Sequence, residues 1–108
     1  MSRHVRNNIE VLQALIKMNP KQRTSVLKDA DSGLVIAICE CALNTLKGNV
    51  PLSPAQKKKL SRFRRLLHAL VQSPAKWKSK RKILVQKGGA ILPILLGAVV
   101  SSLLSHYL

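Results

Sequence analysis

Ile9, Leu12, Leu15 and Ile16 fall at helical spacing between residues 7 and 18, and Val11 widens their stripe. Asn19-Pro20 ends that helix and begins another. Asn19 suits an N-cap, Pro20 the first helical position and Gln22 the reciprocal partner of a capping box. The second helix is short, over about residues 20–28, with Val26 and Leu27 as its apolar contacts. Asp31 or Ser32 caps a third, over about residues 33–47, and Gly48 closes it. Its run 34–43 is apolar almost all round, which places it in the middle of a bundle. Ser53-Pro54-Ala55-Gln56 is a second capping box and opens a fourth helix to about residue 72. At about 100° per residue, Leu60, Phe63, Leu67 and Leu70 share one face, with Lys58, Arg62 and Arg65 nearly opposite.

Ser73-Pro74 breaks the fourth helix, and residues 75–87 read as a basic arm around Trp77. Gly88-Gly89 is a hinge by composition and also a candidate processing site, because some cysteine proteases cut after double glycine. Residues 90–108, AILPILLGAVVSSLLSHYL, carry no charge. As a helix they would run about 28 Å, close to the hydrocarbon thickness of a bilayer. Pro93 suits its first turn. Gly97, Ser101 and Ser105 are spaced by four, a pattern that lets helices approach closely, and Leu92, Leu96, Val99, Val100 and Leu103 line the other side. The segment reads either as a membrane insert or as a packing element.

Charge sharpens this division. The net charge is +15 over 108 residues, and all four acids, Glu10, Asp29, Asp31 and Glu40, lie in the first forty. Residues 41–87 hold thirteen Lys or Arg and no acid, and residues 88–108 hold neither. Such a middle calls for a polyanion, either nucleic acid or an anionic membrane. Lys57, Lys58, Lys59, Arg62, Arg64, Arg65, Lys76, Lys78, Lys80, Arg81 and Lys82 are the candidate phosphate ligands. Phe63 and Trp77 are the aromatic candidates for stacking in that stretch, and Phe63 is expected on the core face. Phosphate contact without base readout is therefore expected.

Catalysis is not expected. The acids are dispersed, the histidines (His4, His68, His106) are scattered, and no glycine-rich loop follows a strand. Cys39 and Cys41 point to different faces of one helix, so free buried thiols in a reducing compartment are expected, with no metal and no cofactor. The opening residues are polar and basic with no apolar core, so a secretory leader is not expected there.

Two stretches carry a resemblance. One is Ala42-Leu43-Asn44-Thr45-Leu46-Lys47-Gly48-Asn49-Val50-Pro51-Leu52-Ser53-Pro54, continuing into Gln56-Lys57-Lys58-Lys59-Leu60. The other is Lys82-Ile83-Leu84-Val85-Gln86-Lys87-Gly88-Gly89 with Leu92-Pro93 beyond. Together they resemble the small basic, hydrophobic-tailed proteins of polinton-like elements, adintoviruses and adomaviruses, and more loosely the adenovirus core peptide and membrane-lytic internal capsid protein. The resemblance covers most of residues 7–104. Those relatives often place an aromatic after the double glycine, where Ala90 stands here. It implies a virion or core protein acting in the nucleus on DNA, or on a membrane during entry.

The sequence thus predicts an all-α chain. A small bundle of about four helices occupies residues 1–72, a basic arm and Gly-Gly hinge 73–89, and a hydrophobic C-terminal helix 90–108. Leu34, Ile38, Ala42, Leu46, Leu60, Phe63 and Leu67 should form the core. The expected function is a non-enzymatic minor virion protein in nucleus and virion, binding DNA non-specifically. Its tail would tether it to capsid proteins, to itself or to a membrane. The rival is a membrane-active or tail-anchored protein held on anionic lipid by its cations.

Overall fold

Three helix starts are set by side chains within four residues of themselves. In the computed structural model, which describes residues 3–72 and 76–107 with side chains to residue 103, both capping boxes are formed. Asn19 Oδ1 accepts from the Gln22 amide at 2.8 Å while Gln22 Oε1 accepts from the Asn19 amide at 3.0 Å. Ser53 and Gln56 exchange the same pair at 3.2 and 2.9 Å. Asp31, rather than Ser32, caps the third start, its Oδ1 accepting from the Leu34 amide at 2.9 Å. Gly48, at φ +80°, ends that helix in a Schellman turn. The Asn49 amide reaches back to the Asn44 carbonyl at 3.0 Å, and the Gly48 amide to that of Thr45 at 3.2 Å.

The described residues form eight helices and no strand. They are α1 (Arg3–Asn7), α2 (Ile9–Lys17), α3 (Pro20–Lys28), α4 (Ser32–Leu46), α5 (Pro54–Ser61), α6 (Arg64–Val71), α7 (Trp77–Lys87) and α8 (Leu92–Tyr107). The all-α class holds, and a bundle of about four helices is too few. A helix that was not expected, α1, precedes the first expected one, and another expected helix breaks. Asn8 separates α1 from α2, its amide turning back to the Val5 carbonyl at 3.2 Å. The expected helix over 54–72 breaks at Arg62 and Phe63, whose amides donate to Lys59 and Leu60, one residue short of helical register. No proline or glycine marks this break. It divides two docking tasks, α5 resting on α8 and α6 on α4 and α7. The expected helix end at Ser73-Pro74 lies outside the described residues.

The basic arm is the helix α7. Leu84 is fully buried, Trp77 and Ile83 pack against the core, and the helix lies on α3, α4 and α6. Arg81 fastens it further, donating from Nη1 to the Ala30 carbonyl at 3.1 Å while its guanidinium sits 5.1 Å from the Trp77 ring centre. Gly88-Gly89 is a packed corner through which the chain turns 115° into α8. Gly88 is buried, and its amide donates to the Leu84 carbonyl at 2.8 Å. A Cβ there would stand 2.5 Å from that carbonyl oxygen, so no larger residue fits without moving the backbone. A protease working at this corner would first have to open it.

The uncharged C-terminal helix lies in the core. Ile91, Leu92, Leu95, Leu96 and Val99 are fully buried and Val100 nearly so, against α2, α4 and α5. The small-residue side faces outward. Ser101 is exposed, and a Cβ at Gly97 would meet nothing within 4 Å. Leu103 is half-buried, and the Ser105 side chain lies outside the described set. No single helix among the described residues is long and apolar enough to cross a membrane. A radius of gyration of 12.6 Å matches about 13 Å for a compact chain of this length.

Five of the seven expected core residues, Leu34, Ile38, Ala42, Leu60 and Leu67, are buried. Leu46 and Phe63 are half-buried at its edge. Arg23 was not expected inside, yet it is 5 % exposed. Its Nη1 donates to the carbonyls of Leu15 and Met18, so it closes the otherwise unpaired end of α2.

Leu96→Ala should lower unfolding free energy by about 2–5 kcal/mol, a large share of the total for a small domain. Gly88→Ala should also destabilise, through the carbonyl contact, whereas Gly97→Ala should be neutral or stabilising. Urea denaturation followed by circular dichroism measures all three.

Candidate nucleic-acid interface

Helices α5 and α6 point their apolar residues inward, which turns their cations to solvent. Lys57, Lys58, Lys59, Arg62, Arg64 and Arg65 are all exposed on this surface. Lys76, Lys78 and Lys82 are exposed on or beside α7. Two expected phosphate ligands have other partners. Arg81 is half-buried and committed to Ala30 and Trp77, and Lys80 is half-buried beside Cys39 at the edge of an apolar groove. The structure therefore brings together the α5–α6 cations and sets Lys80 and Arg81 apart.

Two grooves flank the α6 ridge, with Arg62, Arg65 and Ala69 common to both. The outer one, about 550 Å³, is lined otherwise by Ser61, Arg64, His68 and Gln72. Every lining side chain except Ala69 carries a polar or charged group, and three are arginines, which suits phosphate. The inner one, about 460 Å³, lies between α6 and α7. Its cations are Arg62, Arg65 and Lys87, and its apolar lining is Phe63, Leu66 and Ile83, with Gln86 beside them. Phe63 was expected on the core face. The helix break at Arg62 and Phe63 leaves its ring at the groove, half-buried. Lys87 and Gln86 were not expected at a site. Their signal was the spacing Ile83, Gln86, Lys87, which shares a face only if residues 77–87 are helical.

The two thiols are free. Burial pushes Cys39 up to about 11, with nearby Lys80 pulling down and Glu40 pushing up. Burial pushes Cys41 up to about 12, reinforced by Glu40 and Cys39 and opposed by its own backbone amide. Neither is a nucleophile near neutral pH.

No family model matches the chain, and no curated protein or solved structure is similar to it.

The thiol shifts give a pH dependence. Both folded values lie above the ordinary 9.0, so the unfolded thiols ionise first as pH rises. Their contribution to stability should be complete below about pH 9 and lost progressively towards 11–12. Denaturation at pH 8 and at pH 10.5 should show a larger loss for the native chain than for Cys39→Ala/Cys41→Ala, in which the same lysines titrate.

Proposed function

We propose that this chain is a non-enzymatic nucleic-acid-binding protein that holds DNA through its phosphates, as a minor virion or core component. The observation that carries the reading is the α5–α6 surface, where six exposed cations stand together in a stretch of sequence without an acid. Each phosphate neutralised there releases condensed counterions, a gain that depends on salt and not on base sequence. Lys76, Lys78 and Lys82 extend the cationic surface along α7. The virion assignment rests on the resemblance carried by residues 42–60 and 82–93. In this reading α8 serves as a packing element, and its outward Gly97 and Ser101 leave a smooth strip for capsid protein or a second copy.

A second reading has one observation on its side. The α7–α8 pair has the length and composition of a broken membrane span. Insertion would require the fully buried Leu92, Leu95, Leu96 and Val99 to leave the core, so it belongs to an opened form of the chain.

Lys57→Gln/Lys58→Gln/Lys59→Gln should weaken duplex binding, reducing the slope of log affinity against log salt by roughly 0.9 for each phosphate no longer neutralised, with helicity unchanged. An unchanged slope would remove α5 from the interface. The full chain, mixed with anionic vesicles at high salt, should stay unbound when the vesicles are floated, because screening removes simple adhesion. Co-flotation under those conditions would favour the membrane reading.

A further inference from the structure

The inner groove differs from the outer one in a way that phosphate binding does not explain. A site for phosphate alone needs donors and charge, as Ser61, Arg64, His68 and Gln72 supply in the outer groove. The inner groove has charge at its margins and an aromatic and aliphatic lining between them, Phe63 and Leu66 from one side and Ile83 from the other. Its volume of about 460 Å³ lies within the roughly 300–1,000 Å³ of small-ligand sites.

We infer that the α6–α7 groove accepts an unpaired nucleobase, so that the preferred ligand is single-stranded nucleic acid. The inference rests on the phosphate-binding reading above and adds the base. A polyanion that also carries flat apolar faces matches both halves of the groove. Single strands present such faces, whereas a duplex hides them in its stack. Arg62 at the α5–α6 break, Arg65 on α6 and Lys87 at the end of α7 stand where flanking phosphates of an entering strand would be neutralised from two sides. Phe63 supplies a ring, and stacking on it is indifferent to base identity. Gln86, exposed at the margin, adds an amide that both donates and accepts toward a base edge. Trp77, the other aromatic of the cationic stretch, is occupied by Arg81 and Lys78 at 5.1 and 5.9 Å.

The test compares a short oligothymidylate, an abasic oligomer with the same number of phosphates, and a duplex, each titrated at several salt concentrations. Oligothymidylate should bind about tenfold more tightly than the abasic strand, a difference that persists as salt rises. Ala69→Leu fills the groove from its α6 wall without removing a charge. It should erase that difference, which is read against abasic binding by the same variant because Ala69 also lines the outer groove. Equal affinity for thymidylate and abasic strands, with a steep salt dependence, would overturn the base site and leave the phosphate reading intact. Binding to none of the three at low salt would overturn both. A thymidylate preference that survives Ala69→Leu would place the base elsewhere and overturn the groove. If Ala69→Leu unfolds, photocrosslinking of an iodouracil strand to the native chain decides instead. An adduct on Phe63 supports the groove, and adducts confined to Trp77 or to the outer groove overturn it.

Discussion

Two helices with a single charged side chain between them, Glu40, occupy the middle of this molecule. Neither α4 nor α8 has a face that water would solvate well over its whole length, so each must be covered on nearly every side. That need places the rest. α1, α6 and α7 lie on α4, α2 and α5 lie on α8, and the two central helices touch each other. The covering helices are short and amphipathic, so their polar sides form the outer shell. Because the acids are few and early in the chain, that shell is cationic almost by default. The cationic surface follows from the same constraint as the core.

The legible and illegible parts of this fold divide by range. Asn19 with Gln22, Asp31 with Leu34, Ser53 with Gln56 and the turn at Gly48 close over a few residues, and each could be read from its neighbours. The breaks at Asn8 and Phe63 have no local cause strong enough to announce them, because they are set by which distant helix each half must meet. The α7 segment was obscured by its cations: Arg81 sets its guanidinium against Trp77 and the Ala30 carbonyl between α3 and α4, which a polar residue in a pattern does not disclose. An uncharged segment such as α8 reads identically whether lipid or protein covers it. Here, the helices around it decide.

The site divides in the same way. A run of cations without acids is visible in composition, and its exposed members, from Lys57 to Arg65, stand where the amphipathic pattern puts them. What composition cannot separate is a cation held for the protein's own carbonyls from one left for a ligand. Arg23 and Arg81 are of the first kind, whereas Arg62 and Arg65 stay exposed to solvent. The ring of Phe63 lines the α6–α7 groove beside a one-residue slip in hydrogen bonding. Self-repulsion among the exposed cations weakens the compact state, and a polyanion bound there would offset it and so stabilise the fold.

Chain order gives the central place of α8 a further meaning. Helix α8 follows the seven other described helices, and its main neighbour, α2, is separated from it by most of the sequence. During synthesis, the apolar sides that α2 and α5 turn toward α8 have nothing to close on until that helix has been made. Closing then requires contacts across most of the sequence, which slows folding relative to a bundle built from neighbours. Nascent chains in that interval expose greasy surface, the usual route to aggregation. The cations of residues 41–87 are already present on every such chain, and their mutual repulsion holds unfinished copies apart.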